Sequence, residues 1–182
     1  MGGELFHLDR AQALEVGMSL DQRLTNRHPG TGKIYEVTTK QYDQIESLFE
    51  DGLTGHGITY VFNPSINSNI LIEMFFEFHR RSEFPEANSR MQSVFGAETI
   101  PDLKDRAGMD SVDVGSGDVY LVETDDYSIH DASLLNDFGS FIDSVIAAEK
   151  YWSGEGTDEP VWEVLMEPKV EVIEYVGKIN EL

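Results

Sequence analysis

The sequence predicts a single α+β domain over residues 1–182, and the order of its strand and helix signals is the main reason. Predicted strands and helices alternate through most of the chain, and two strands follow one another at its end. That order favours a mixed α+β domain over a doubly wound parallel sheet. The chain has 182 residues, of which 40% are hydrophobic, and this is enough to bury one core.

Helical periodicity is clearest over residues 70–81, where Leu71, Phe75 and Phe78 form one apolar stripe. We expect this stripe to face the core and the charged face of the helix to meet solvent. The residues expected on that charged face are Glu73, Glu77 and Arg80. Shorter patterns predict two further helices, over residues 41–49 and 100–107.

A fourth helix is predicted over residues 133–150, with Asp131 or Ser133 as its N-cap. Its expected inward-facing side chains are Leu134, Leu135, Phe138, Phe141, Ile142, Val145 and Ile146. Runs of β-branched and aromatic residues predict the strands. These span residues 5–8, 58–62, 92–97, 119–123, 161–166 and 169–176. Turns are expected at 9–14, 26–32 and 52–57, where Gly or Pro interrupts the patterns.

The net charge of −21 is the most unusual property of the composition. Such a field repels phosphates and therefore argues against direct nucleic-acid binding and against anionic membranes. Two explanations remain open, namely salt adaptation of a halophile's surface and mimicry of a nucleic acid that captures a basic partner. The acidic residues are scattered along the chain instead of forming one block, which favours salt adaptation.

The chain contains no cysteine, so disulfides and thiolate chemistry are absent. The start of the sequence has no basic stretch followed by an apolar run, and Phe6 stands where a myristoylation signal needs Ser or Thr. No apolar run approaches the length of a membrane span. These features predict a cytoplasmic protein.

Two motif-like segments do not meet the requirements of the sites they suggest. Residues 30–34 (GTGKI) lack the earlier glycine and the final Ser or Thr of a phosphate-binding loop, so we interpret them as a hairpin-like loop. Glu73 and Glu77 share a helix face with each other but not with His79. We interpret these carboxylates as a solvated helix face and not as metal ligands.

Three stretches, in this order along the chain, resemble the ADP-ribosyltransferase-like superfamily. Residues 5–10 (LFHLDR) stand where these enzymes carry a strand with a His or Arg that holds NAD. Residues 89–97 (SRMQSVFGA) are similar to the central strand-helix unit that carries a Ser or Tyr beside the nicotinamide. Residues 151–155 (YWSGE) and 161–165 (VWEVL) look like the late segment that bears the catalytic glutamate. An uncharacterised microbial family begins with a similar His-Leu-Asp-Arg segment.

The resemblance implies a split β-sheet core with flanking helices and NAD as the substrate. Glu163 would be catalytic, because cleavage of the nicotinamide–ribose bond leaves positive charge that a carboxylate stabilises. Arg10 would clamp the diphosphate and His7 would hydrogen-bond a ribose hydroxyl. The other cofactor-binding candidates would orient the ribose or stack on a ring: Ser89, Arg90, Ser93, Tyr151 and Trp152.

Each assignment also has a structural alternative. Glu163 would then be the outward residue of an edge strand, His7 a core histidine, and Arg10 the partner of a neighbouring acid. The serines of the second stretch would cap a turn or decorate a strand, and Trp152 would pack in the core. The superfamily's Ser-Thr-Ser triplet is absent, and Val161 replaces the second acidic residue of its best-known members, which argues against arginine as the acceptor.

The sequence therefore predicts NAD-dependent ADP-ribosyl transfer to a macromolecule or small molecule, or NAD hydrolysis. We expect NAD to bind in a cleft between His7, Arg10 and Glu163. The alternative function is a non-enzymatic acidic binding module, either a nucleic-acid mimic or a degenerate transferase fold.

Overall fold

A computed structural model describes residues 4–21, 38–62, 68–109, 117–136 and 140–182. The predicted loop at 26–32, the segment 30–34 and the side chain of Phe138 lie outside them.

The described residues form seven strands, five α-helices and one 3₁₀ turn. The strands are β1 Leu5–Asp9, β2 Ser19–Leu20, β3 Val94–Gly96, β4 Asp118–Glu123, β5 Tyr127–Asp131, β6 Trp162–Met166 and β7 Val170–Lys178. The helices are α1 Thr39–Leu48, α2 Gly55–Phe62, α3 Ser68–Glu83, α4 Ile100–Met109 and α5 Phe141–Ser153, with the 3₁₀ turn at Ala132–Leu134. None of the helices in the described ranges is long and apolar enough to cross a bilayer.

Two antiparallel sheets organise the fold, which confirms the predicted α+β class with a split sheet core. One sheet has the strand order β1-β4-β7-β2 and the other β3-β6-β5. The sheets meet where Phe6 of β1 and Ala97 exchange backbone hydrogen bonds of 2.8 and 2.9 Å. Because β6 is the central strand of its sheet, the alternative that Glu163 stands on an edge strand is wrong.

Strand β6 separates two parts of the core because successive side chains point to opposite faces of a sheet. Val164 and Met166 join a cluster that draws on both sheets and also includes Leu5, Tyr120, Val122, Val170 and Val172. Leu165 points the other way, into a cluster under α3 and α5. Each buried side chain of this size contributes about 1.5–3 kcal/mol to folding.

The predicted strand at 58–62 is wrong, because these residues belong to helix α2. A short apolar run fits either a buried strand or a buried helix, so periodicity alone does not decide. Gly57, which we expected to break the chain, lies inside the helix. A Cβ at this position would lie 2.1 Å from the Met91 carbonyl oxygen, so glycine allows the two backbones to approach.

The predicted helix at 133–150 is only partly correct. Asp131 caps the 3₁₀ turn through the Ser133 N–H, and Ser140 caps a separate helix, α5. The preceding strand β5 was not predicted at all. Leu134 is buried, but three residues expected to face inward are exposed. These are Phe141, Ile142 and Ile146.

Helix α3 occurs where it was predicted, but it presents the opposite face to the core. Leu71 and Phe78 of the expected inner stripe are exposed. The residues buried in their place, besides Ile70 and Phe76, are Glu73, Glu77 and Arg80. A charged helix face is buried only where partners of opposite charge meet it. Those partners form the candidate functional site.

Candidate functional site

Arg90, in the loop that precedes β3, is the centre of a buried group of charged side chains. Its Nε and Nη2 donate to both carboxylate oxygens of Glu73, each at 2.9 Å. Its Nη1 donates to Glu163 and to the Tyr151 hydroxyl. The guanidinium also lies 4.9 Å from the ring centre of Phe95, and only 1% of the residue is exposed. Bidentate pairing of this kind is an interaction that arginine makes and lysine does not.

Glu163 is held by three side chains and is fully buried. Arg90 and the Tyr151 hydroxyl bind Oε1, the latter at 2.7 Å, and Arg106 Nε binds Oε2 at 2.7 Å. Burial raises the pKa of Glu163, but the charges of Arg90 and Arg106 outweigh burial and lower that pKa to about 2. The carboxylate is therefore ionised at neutral pH, so it can stabilise a neighbouring positive charge but cannot act as a general acid.

These residues come from five different parts of the fold, and we call them the Arg90 cluster. Its members are Glu73 of α3, Arg90, Arg106 of α4, Tyr151 of α5 and Glu163 of β6. The two carboxylates and two guanidiniums balance in charge. Burial raises the pKa of the Tyr151 hydroxyl well above its usual value, so tyrosine remains a neutral donor. Burial opposes ionisation of Glu73 as well, but Arg90 and His56 lower its pKa.

His56 of α2 extends the cluster. Its Nε2 lies 3.2 Å from Glu73 Oε1, without the alignment of a hydrogen bond. The imidazole also contacts the rings of Tyr60 and Phe95, with centroid distances of 4.6 and 4.5 Å. The edge of the cluster nearest α2 is thus closed by aromatic rings.

A second buried group surrounds Glu77 on the next turn of α3. Arg80 and Arg81 bind its Oε1 at 2.9 and 2.7 Å, and the Ser89 hydroxyl donates to Oε2 at 2.8 Å. The interpretation of Glu73 and Glu77 as a solvated face is therefore wrong, because both carboxylates bind buried arginines. The described ranges hold no group of three or more side chains arranged to bind a metal ion.

His7 lies on β1 beside the bridge that joins the two sheets, and it is partly exposed. Its Nδ1 lies 2.7 Å from the Phe95 carbonyl oxygen. Burial lowers the pKa of His7, although the backbone hydrogen bond opposes this. The ring is therefore neutral with its proton on Nδ1, and Nε2 is the nitrogen left to accept a hydrogen bond. Backbone bonding agrees with the structural alternative for His7 and also fixes the ring for a ligand.

Asp9 is the last residue of β1 and Arg10 follows it, and their side chains make different contacts. The buried Asp9 carboxylate accepts hydrogen bonds from the N–H groups of Ala11, Ala13 and Leu14, so it orders the predicted turn after β1. Arg10 is exposed, and its Nη2 lies 3.5 Å from the Ala107 carbonyl oxygen of α4.

The predicted site residues fall into three groups according to the contacts they make in the structure. Arg90, Tyr151 and Glu163 touch one another directly. His7 and Arg10 lie against backbone carbonyls outside this group, those of Phe95 and Ala107. The remaining three predicted residues, all buried, serve local structure: Ser89 binds Glu77, the Ser93 hydroxyl donates to the Ser89 carbonyl, and Trp152 Nε1 donates to the Phe76 carbonyl. Their positions agree with the structural alternatives given above.

None of the predicted site residues lines the two main cavities found in the described part of the chain. The smaller cavity, of about 310 Å³, lies on the face of β6 opposite Glu163 and is lined by Glu98, Asp102, Ile129, Gly154, Trp162 and Val164. The other, of about 440 Å³, is lined by five carboxylates and only one cation, Lys169. Neither lining contains an arginine for bidentate binding of a diphosphate.

Sequence reasoning missed Glu73, Arg106 and His56. The regular spacing of Glu73, Glu77 and Arg80 along one face of α3 was a signal, but it was interpreted as solvent-facing. A second signal was the scarcity of cations, with 13 Lys and Arg against 34 acids. In such a sequence an arginine with no acidic residue in its flanking positions, such as Arg90 between Ser89 and Met91, indicates a partner distant in the sequence.

The described residues thus define a two-sheet α+β protein with a charge-balanced cluster between its smaller sheet and its helices. A family model described as protein of unknown function (DUF2441) matches residues 5–178, so the chain belongs to the DUF2441 family. A comparison with curated proteins finds no match.

Proposed function

We propose that this protein cleaves the nicotinamide–ribose bond of NAD and transfers ADP-ribose to an acceptor or to water. One observation supports the proposal most strongly. Candidate residues from distant stretches of the chain converge on the unit formed by residues 89–107. Glu163 binds Arg90 directly, His7 hydrogen-bonds the Phe95 carbonyl, and Arg10 approaches the Ala107 carbonyl.

The charge state of Glu163 suits this chemistry. When the bond breaks, its electron pair leaves with neutral nicotinamide and the ribose becomes positively charged; the acceptor then attacks C1 and loses a proton. A carboxylate that stays ionised stabilises the sugar cation. With its pKa near 2, Glu163 stays ionised at neutral pH.

Glu163 must also be released before it can meet a sugar, because side chains already bind both of its oxygens. Arg106 is the most exposed of these partners, with 18% of its side chain accessible. The diphosphate of NAD competes for a guanidinium in bidentate geometry. We propose that Arg106 turns towards the diphosphate and leaves Glu163 Oε2 for the ribose, while His7 Nε2 accepts a ribose hydroxyl.

A second candidate function is a module that holds a partner without chemistry. The burial of the predicted site favours it, since Glu163 has no exposed surface and its carboxylate is bound by Arg90, Arg106 and Tyr151. In this case the Arg90 cluster stabilises the fold and does no catalysis.

Nicotinamide release from labelled NAD separates the two functions. We would compare the wild-type protein with Glu163→Gln in low and molar salt, and use Glu174→Gln, an exposed change on β7, as the matched control. The transferase proposal predicts release by the wild type and the control and a loss of about a hundredfold or more in Glu163→Gln. Release that survives Glu163→Gln would contradict the catalytic role.

Arg106→Gln provides a second variant in case Glu163→Gln perturbs folding. If Arg106 binds the diphosphate, this change raises KM for NAD, while Glu163 keeps its ion pair with Arg90, so kcat falls much less than KM rises. Circular dichroism and thermal melting would show whether each variant is folded. If the folded wild type neither binds NAD by calorimetry nor releases nicotinamide, the transferase proposal is contradicted and the binding module is favoured.

A further inference from the structure

Helices α3 and α5 expose six large apolar side chains. Those on α3 are Leu71, Met74 and Phe78, and those on α5 are Phe141, Ile142 and Ile146. The exposed fraction of these residues ranges from 47% for Met74 to 74% for Phe141. We call this surface the α3–α5 face.

The two stripes lie on helices that contact each other. Phe75 of α3 contacts Phe141 of α5 edge to face, with 5.8 Å between the ring centroids. One turn further along α3, His79 Nε2 lies 3.2 Å from a carboxylate oxygen of Glu149. The helices also share the buried cluster that contains Phe76 and Ala148. The six exposed side chains therefore lie on two neighbouring helices, with one polar pair, His79 and Glu149, between those helices.

The unusual orientation of α3 explains why this surface is free. The helix turns its charged face inward to supply Glu73 and Glu77 to the buried arginines, so its apolar stripe is left outside. With about 200 Å² for a large side chain, the exposed area of the six residues is on the order of 600 Å². This value is at the upper end of the largest apolar patch on a typical monomer, and such patches are often functional.

Charge indicates which partner fits. A second copy would bring another net charge of −21 to the interface. The acidic residues Asp143 and Glu149 are exposed on α5 beside the apolar stripe. These features favour a basic partner over a second copy of the chain.

We propose that the α3–α5 face binds an amphipathic helix of another protein whose apolar stripe is flanked by Lys and Arg. The stripe would pack on the six side chains, and the basic flanks would lie near Asp143 and Glu149. Helix binding of this kind uses apolar anchors one helical turn apart. The proposal is independent of NAD cleavage, because it concerns a surface outside the Arg90 cluster.

A peptide titration tests the proposal. The probe is a synthetic amphipathic helix of Leu and Lys, and its control is a peptide of the same composition with the helical period shuffled. Affinities are measured by fluorescence anisotropy in low and molar salt, with the full chain. We expect the shuffled peptide to bind about tenfold more weakly or worse, and binding of the amphipathic peptide to persist in molar salt.

Matched variants locate the binding surface. The double variant Phe78→Ser, Phe141→Ser removes two exposed anchors, and Ile173→Ser removes an exposed side chain on β7 as the control. We expect about a tenfold or greater loss of affinity in the double variant and no change in the control. Equal binding of both peptides, or unchanged binding by the double variant, would overturn the proposal. The proposal would also be overturned if light scattering showed a dimer, or if the protein bound neutral lipid vesicles, and the double variant abolished that association.

Discussion

Replacing Arg90 with methionine tests the Arg90 cluster most severely. The change leaves two buried carboxylates, those of Glu73 and Glu163, without their shared partner, although Arg106 still binds Glu163. Breaking a buried ion pair by removing one partner costs about 3–5 kcal/mol. In a chain of this size 1 kcal/mol lowers Tm by about 2–4 °C, so we expect Arg90→Met to melt about 6–20 °C below the wild type.

Urea unfolding followed by circular dichroism at neutral pH measures the free energy directly. Lys104→Met, which removes an exposed cation from α4, is the matched control and should change stability by less than about 0.5 kcal/mol. Neutralising Glu73 together with Arg90 should recover part of the loss, because the remaining buried carboxylate, Glu163, is still paired with Arg106. A loss below about 1 kcal/mol for Arg90→Met would refute the claim that the cluster is buried and charge-balanced.

Three further predictions concern the loss of stability in acid, the substitution of Gly57 and the dependence of Tm on salt. The pKa of Glu163 falls from 4.5 to about 2 on folding, so its ionisation contributes roughly 3 kcal/mol to the free energy of unfolding. This contribution is complete above pH 4.5 and is lost as the pH falls to 2. Acid unfolding of Glu163→Gln should therefore lack this pH-dependent loss of stability. Gly57→Ala should cost more than about 2 kcal/mol in urea unfolding because its Cβ meets the Met91 carbonyl, whereas Gly108→Ala, with open space around it, should be neutral or stabilising. Raising KCl from about 0.1 M to about 1 M shortens the screening length from about 10 to 3 Å, so Tm should rise if the net charge of −21 is a salt adaptation; a Tm that is flat or falls would contradict that interpretation.

Local signals predicted most of the secondary structure. The strand at 119–123 and the two closing strands are correct to within about two residues. Helices predicted at 41–49 and 100–107 also agree with α1 and α4. These elements have strong periodicity, and neighbouring residues alone determine it.

Elements whose conformation depends on distant contacts were predicted less well. Residues 58–62 are helical because Ile58 packs against Phe49, Leu53 and Met91, and an apolar run of this length does not reveal that packing. Ser140 starts α5 afresh, although the apolar pattern from residue 133 onwards suggested one continuous helix. In both cases tertiary packing and capping overrode a local pattern.

The candidate site was likewise predicted only in part from the sequence. Arg90, Tyr151 and Glu163 were predicted as members of one site and do contact one another. Their other partners, Glu73 and Arg106, were not found because each lies far in the sequence from the side chain it binds, at separations of 17 and 57 residues. The apolar stripe of α3 predicted the wrong buried face, because partners of opposite charge can hold a charged helix face in the interior.

Nicotinamide release by the purified wild-type protein tests the central claim most directly. With nicotinamide-labelled NAD, we expect nicotinamide release that grows with time and protein concentration. This release should be lost in Glu163→Gln but not in Glu174→Gln. Absence of release and of NAD binding by the folded wild type, in both low and molar salt, would contradict it and leave Glu163 as a structural member of the Arg90 cluster.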